Sequence, residues 1–478
     1  MKLISTYGVR LKLADSKPLT DTVNLYREAV SFFLDVIEEH WDTLSECGGL
    51  NGCIAPVELL THVTLKNPNP VHNFDEPFPN FPCYLRRAAI KFAYGSVSSY
   101  HSNLNNWLEE DKQTRGKQPS FPKVGNICPT LYNGNCYMRT GLYTAKVKAW
   151  VRNTWDWVDV TFRKTDMDYI QHHCSFRKEC APTLRKRGKN WELDFPFEEN
   201  VKLQDTPVEK RRIVAVDLGI NNAATCCVME SDGAVVGREF LSLTTDNGSL
   251  NHALSLIKRA QQSGAHHMPE LWAKANGINR SIAEKTATFI VNTAVMFDAD
   301  IVVMEHLNLQ GKKKGSKRQR LALWKAKYVQ KLVEDKCHRN GMRISTICAW
   351  NTSRLAFDGS GFVKRGRQSE KSGGSYSVCE FTTGKVYNCD LNASYNIGAR
   401  YFIREILGSM PERARLLLEA KVPLAAKRST CTLSTLYDLR AAIDEQAQRF
   451  AERTMSGETR DSDAPKGQPQ EPFGSTGQ

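Results

Sequence analysis

The chain has 478 residues, 41% hydrophobic and 24% charged, which is the balance of a folded globular protein with room for about three domains. It carries a net charge of +13, which favours a polyanionic partner because Lys and Arg that neutralise phosphates release counterions. No run of about 18 apolar residues occurs, so no membrane span is expected, and the opening MKLISTYGVRLKLADSKPL is not patterned as a signal peptide. The 14 cysteines form no CxxC pair, and read as reduced thiols of a cytoplasmic protein.

Residues 1–13 read as a strand. TDTVNLYREAVSFFLDVIEEHWDTL then places Val23, Tyr26, Val30, Phe33, Leu34 and Ile37 at helical spacing, with Thr20 as the expected cap. NPNPVHNFDEPFPNFP is a Pro/Asn-rich loop, and a second helix is expected from about Tyr84 to Glu110. From GKQPSFPKVGNICP to about Val201 the pattern turns to β, in YTAKVKAWV, WVDVTFRK and WELDFPFEE. A basic cluster, Arg185, Lys186, Arg187 and Lys189, lies beside Trp191. It suits either phosphate contact with a stacked base or a solvated hairpin face.

After Arg211 the reading is α/β. Strands RIVAVDL, AATCCVME and AVVGREFLSL follow one another, with Asp232-Gly233 as a hairpin turn. A helix over SIAEKTATFIVNTAVMF, with Arg280 and Lys285 in its first turn, precedes a buried strand ADIVVMEHL. A helix is expected from about Arg318 to Arg339, with Leu321, Trp324, Tyr328 and Leu332 on its packed face, and then the strand MRISTICAW. A loop-rich insert follows, and LNASYNIGARYFIREIL is a helix. The polar tail from 456 to 478 is expected to be disordered.

Three acids stand at the ends of these elements. Asp217 closes IVAVD, Glu305 closes DIVVME, and Asp390 opens DLNASYNIGA, none beside a Lys or Arg in sequence. One such acid alone reads as a turn or cap. Carboxylates converging from strand ends coordinate cations or hold protons, since burying an unpaired anion is costly. Three hard oxygen donors suit Mg²⁺, and two such ions would serve an in-line displacement at phosphorus. Gly219 would then let a phosphate backbone approach closely.

VAVDLGINNAAT, IVVMEHLNL and CDLNASYNIGA resemble, in order and spacing, the three RuvC motifs of TnpB proteins and of the small type V CRISPR effectors derived from them. The resemblance covers about 211–401. It implies an RNase H-like (RuvC) α/β nuclease domain, with Asp217, Glu305 and Asp390 as catalytic residues and ligands of two Mg²⁺ ions. It also implies a guide RNA and a double-stranded DNA target paired to that guide. The family order implies a multidomain α+β chain in which a helical recognition domain (16–117) interrupts a wedge domain (1–15 and 118–205). RuvC motifs I and II would then occupy 206–350, a target nucleic-acid-binding insert 351–388, motif III 389–410, a helical extension 411–455 and a tail 456–478.

The pattern is broken in one place. TnpB proteins carry a zinc ribbon with two CxxC pairs between the second and third motifs, but only Cys379 and Cys389 stand there, with Cys348 upstream. Zinc is not expected on so poor a ligand set. TSRLAFDGSGF, with an expected turn at Asp358-Gly359, is similar to the zinc-less segment of some larger CRISPR effectors. Lys312, Lys313 and Lys314 of GKKKGSKRQR, Arg354, and Lys364 and Arg365 of VKRGRQSEKSGG are the remaining candidates for nucleic-acid contact. The overall reading is an RNA-guided, Mg²⁺-dependent DNA endonuclease acting beside a short target-adjacent motif, with no membrane partner and a monomer favoured. Its rivals are an RNA-guided binder that does not cut and an unguided RNase H-like nuclease or transposase.

Overall fold

A computed structural model describes residues 1–112, 115–220, 222–307 and 324–455. The readings for Leu321, for the start of the helix expected from Arg318, for Lys312, Lys313 and Lys314, and for the tail 456–478 lie outside the described residues. The chain is multidomain and mixed α/β, and it divides into two compact units, Lys2–Asn200 and, with Met1, Val201 onward.

In the first unit, β1 (Lys2–Lys12), β2 (Tyr137–Arg139), β3 (Thr144–Val151), β4 (Thr154–Phe162), β5 (Lys178–Glu179), β6 (Thr183–Arg187) and β7 (Asn190–Asn200) form one sheet. Its order is β2-β3-β4-β1-β7-β5, with β6 also pairing to β7. Two long helices, Lys17–Glu39 and Cys83–Glu109, come between β1 and β2 in sequence. The first begins three residues before the expected cap: Pro18 stands in its opening turn and Thr20 Oγ1 donates to the Ser16 carbonyl at 3.1 Å. A proline there lacks only an N–H that has no partner anyway, and its fixed φ suits a helix start. The Pro/Asn-rich loop contributes to the core. It buries Phe74, Phe78 and Phe81, and Phe74 stacks on Phe33 at 4.8 Å and on Phe78 at 4.6 Å. Within the expected β region lies a helix, Lys164–Cys174, which buries Met167, Ile170 and Cys174. Its apolar spacing is helical but too short to stand out among strands.

In the second unit, β8 (Arg212–Asp217), β9 (Asn222–Glu230), β10 (Val235–Ser242), β11 (Ile301–His306) and β12 (Arg343–Cys348) form a sheet of order β10-β9-β8-β11-β12. β8, β9 and β10 are antiparallel, whereas β11 runs parallel to β8 and to β12. Alternate residues of β8 enter different cores. Ile213 and Ala215 pack with the helices Cys389–Ser409 and Leu433–Met455. Val214 and Val216 pack with Pro269–Met296 and Ala326–Arg339. A strand covered on both faces reads as a continuous apolar run, which is why VAV shows no alternation.

The expected turn at Asp232-Gly233 is present: Gly233 has φ +92, and Asp232 Oδ1 accepts from Ala234 N at 2.8 Å. Two helices correct the reading. Thr244–Gln262 was missed, and the next begins at Pro269, well before Ser281. Arg280 and Lys285 are therefore mid-helix, and they pair with Glu284 (2.8 Å) and Asp246 (2.7 Å). On Ala326–Arg339 the buried stripe is Val329, Val333 and Cys337, one position from the expected face, leaving Tyr328 and Leu332 partly buried.

The insert holds a small sheet of β13 (Lys364–Arg365), β14 (Val378–Glu380) and β15 (Val386–Asn388) in that order. Leu355 bridges Phe362 across a turn at Asp358-Gly359, where Gly359 has φ +80.

Candidate active site at the sheet edge

Asp217 is the last residue of β8 and pairs with Thr225 of β9. The parallel register of β8 and β11 sets Val216 against Met304, so Glu305 leaves β11 one residue further on, beside Asp217. Asp390 lies in the first turn of the helix Cys389–Ser409, whose cap Asn388 accepts from Leu391 N at 2.9 Å. That helix approaches the sheet closely at Gly398, where a Cβ would stand 2.9 Å from Met229 Sδ and 3.3 Å from Ala215 Cβ.

The three acids are half-buried and share an electrostatic site. Burial, then Glu305, then Asp390 push the Asp217 carboxyl well above the ordinary carboxylate range, while Arg365 opposes them. Burial also raises Glu305, against the Thr352 hydroxyl that donates to Oε1 and the charge of Arg400. Asn222 Nδ2 donates to Asp390 Oδ2 at 2.9 Å. Among the described residues no Lys, Arg or His forms an ion pair with any of the three. The side chains stand apart, however. Among the described residues the one trio of His, Cys, Asp or Glu with ligand atoms all within 4.8 Å is Glu39, His40 and His72.

The asparagines of DLNASYN hold the neighbouring loop in place. Fully buried Asn392 accepts from Phe357 N and donates to the Leu355 carbonyl, both at 2.9 Å. Asn396 Nδ2 donates to the Thr352 and Leu355 carbonyls at 2.9 Å. These bonds fix the segment that carries Thr352 to Glu305. Arg400 is buried and donates to four carbonyls, of Cys348, Trp350, Ser429 and Cys431, at 2.7 to 3.1 Å. Gly219 lies close against the Asn222 backbone, because a Cβ there would meet the Asn222 carbonyl at 2.6 Å.

The basic candidates are dispersed. Arg365 is brought near Asp217, and its Nη1 lies 3.5 Å from Ser353 Oγ. Arg354 lies over the Phe362 ring at 5.4 Å, and both line a cleft with Lys364, Arg365, Arg367 and Tyr376. In the other unit, Arg185 and Arg187 face buried Asp194 at 3.4 and 3.1 Å, and Lys186 lies over Trp191 at 5.5 Å. Lys189 stands in the two-residue turn between β6 and β7. Cys379 and Cys389 are buried, with Cys379 Sγ donating to the Tyr387 carbonyl at 3.5 Å, whereas Cys348 is exposed at the end of β12. Asn222, Thr352 and Arg400 were missed as site residues. Asn222 and Thr352 had a signal, since both lie within the quoted motifs.

Fold and site together define a multidomain, mixed α/β protein whose five-stranded sheet brings two carboxylates to one edge, where a helix N-terminus adds a third. The chain belongs to the Aq_aa04 family, whose pattern matches residues 5–151. It is 33% identical over 127 residues to the uncharacterized protein aq_aa04 of Aquifex aeolicus (strain VF5), covering 24% of this chain and 71% of that one. The resemblance to TnpB proteins holds as well. The TnpB-like protein aq_aa05 of the same organism is 27% identical over 236 residues, covering 45% of this chain and 74% of the relative. Among solved structures, a Cas12f1-sgRNA-target DNA complex aligns at 14% identity and TM-score 0.32, covering 83% of this chain and 98% of that one. CasPhi-2 (Cas12j) bound to crRNA and phosphorothioate-DNA aligns at 10% and 0.38, covering 84% and 91%. Among the described residues no helix is long and apolar enough to cross a membrane.

Proposed function

We propose that this protein is an RNA-guided DNA endonuclease whose second unit contains an RNase H-like (RuvC) domain. The observation that carries the reading is that Glu305 and Asp390, from a second strand and a helix, both act electrostatically on Asp217, with no ion-pair partner for any of the three among the described residues. The three-motif resemblance and a relative named TnpB-like support it. We assign 1–15 and 118–205 to a wedge domain, 16–117 to a recognition domain and 351–388 to a target-binding insert.

The donor set fits a divalent metal: three hard oxygens, with the charged form of Asp217 disfavoured until a cation offsets its neighbours. Asp217, Glu305 and Asp390 would hold Mg²⁺. When bound, it supplies Lewis-acid charge at a phosphodiester. Thr352 and Asn222 orient the oxygens of Glu305 and Asp390 through their hydrogen bonds. Arg365 and the exposed Arg354 supply positive charge that draws a DNA phosphate toward these acids. Guide pairing would read the target sequence, so the protein needs to hold a duplex by its backbone.

The test is purification of the protein with its native locus. A co-purifying structured RNA and Mg²⁺-dependent cutting of matched DNA are expected. Asp217→Ala should abolish cutting while target binding stays nearly intact. An RNA-free protein that cuts branched DNA unaided would overturn the guided reading, and full cutting by Asp217→Ala would remove that residue from the site.

A further inference from the structure

We propose a second metal site, in the first unit, formed by Glu39, His40 and His72 and taking a first-row divalent cation of the zinc type. His40 Nε2 and His72 Nε2 stand 3.0 Å apart, with their rings 76° from coplanar. Glu39 Oε2 lies 3.8 Å from His72 Nε2. The two Nε2 atoms share a hydrogen bond beside a carboxylate oxygen, and a cation there would take the place of the shared proton. Tetrahedral zinc with bonds of about 2.0–2.1 Å holds its ligand atoms roughly 3.3–3.4 Å apart. Shifts of a few tenths of an ångström would bring the His40–His72 and Glu39–His72 pairs to that spacing, and all three ligand atoms already lie within 4.8 Å of one another.

Each histidine stands on anchored backbone. His40 ends the helix Lys17–Glu39, its N–H bonded to the Val36 carbonyl at 3.1 Å. His72 N donates to the Leu60 carbonyl at 2.9 Å, two residues before fully buried Phe74. The other acid at this helix end is engaged elsewhere: Glu38 Oε2 accepts from His101 at 2.8 Å, and His101 stacks flat on Trp41 at 4.8 Å. Glu39, with its side chain 63% exposed, remains free to turn inward and leaves a fourth position open to water. Two neutral imidazoles and one carboxylate form a nitrogen-rich set that prefers zinc or its neighbours to magnesium. Bound there, the ion ties the end of the first helix to the loop that carries Phe74, Phe78 and Phe81.

The experiment uses the full chain stripped with a chelator, in an Asp217→Asn background so that the acid trio does not compete. Titration with zinc alone should show one equivalent bound and a raised melting temperature. Cobalt should give visible d–d absorption without a thiolate charge-transfer band, which separates this site from the 14 cysteines. His40→Gln and His72→Ala should each weaken zinc by at least about 100-fold, the upper end of what loss of an outer-shell partner costs. Glu39→Gln should weaken it about tenfold, and its exposed position keeps the test readable if a histidine variant does not fold. Absence of zinc binding, a thiolate band with cobalt, or unchanged affinity in Glu39→Gln and whichever histidine variants fold would overturn the proposal.

Discussion

Asp217 sits where burial, Glu305 and Asp390 all oppose its charge. A carboxyl whose folded pKa is raised binds its proton more tightly in the native state, so without a cation its ionisation at neutral pH works against folding. Asp217→Asn should therefore melt higher than the wild type in chelator, by roughly 2–4 °C for each kcal/mol relieved. Mg²⁺ should raise the wild-type midpoint more than the variant's. Scanning calorimetry with and without chelator checks both, and a variant that melts lower in chelator would contradict the electrostatics. Asn396 makes the opposite case. Its amide satisfies the Thr352 and Leu355 carbonyls in a fully buried position. Asn396→Ala removes both bonds; Leu355 keeps the Asn392 amide, so the stranded group is the Thr352 carbonyl, at a cost of about 1–3 kcal/mol. It should also lower cleavage, because Thr352 loses its hold beside Glu305. Denaturant melts and a cleavage assay on the same preparation test the pair of effects.

At the scale of elements, the helix Cys389–Ser409 depends on Gly398 to lie close to β8 and β9. Gly398→Val would drive branched methyls into Met229 and Ala215, and overpacking of this kind costs about 1–3 kcal/mol. A variant with wild-type urea midpoint would show that the helix can shift without penalty. In the first unit, Glu58 of the short helix Ile54–Thr61 receives Arg86 Nη2 and Arg87 Nε at 3.1 Å. Burial alone would raise its pKa, but the hydrogen bonds from Arg87 and Arg86 outweigh this and depress it. The sign follows: the stabilisation is complete above the unfolded value of about 4.3 and is lost as pH falls through the lower folded value. Glu58→Gln should thus be less stable than wild type at pH 7, and the gap should close in acid; an equal gap at both pH values would refute the pairing. Elements with one clear period were legible in the sequence, as in Lys17–Glu39 and the alternating β3. The α/β strands showed as apolar runs, and the acid at each end marked the site. The helices Thr244–Gln262 and Lys164–Cys174 were not legible, because each buries only three or four side chains on a polar background. Nor were the loop-to-helix bonds of Asn392 and Asn396, since a buried asparagine and a solvent-facing one look alike in a sequence.

At the scale of the molecule, the hydrophobic cores respect the division into units. One cluster runs from Val9 to Phe197, and the others fall between Val208 and Ile443. A segment that closes its own core has what it needs to fold alone. Residues 1–200, expressed alone, should melt in one cooperative transition, with near-UV circular dichroism from the Phe33–Phe74–Phe78 stack and from Trp41, which stacks on His101. The fragment lacks Asp217, Glu305 and Asp390, so Mg²⁺ should leave its midpoint unchanged while raising that of residues 201–478. The two fragments separate the functional claims as well, since guide RNA retention can be measured on the first and cation binding by the acid trio on the second. If the first fragment showed no cooperative melt, its core would depend on residues beyond 200, and the assignment of wedge and recognition domains to that stretch would have to be redrawn.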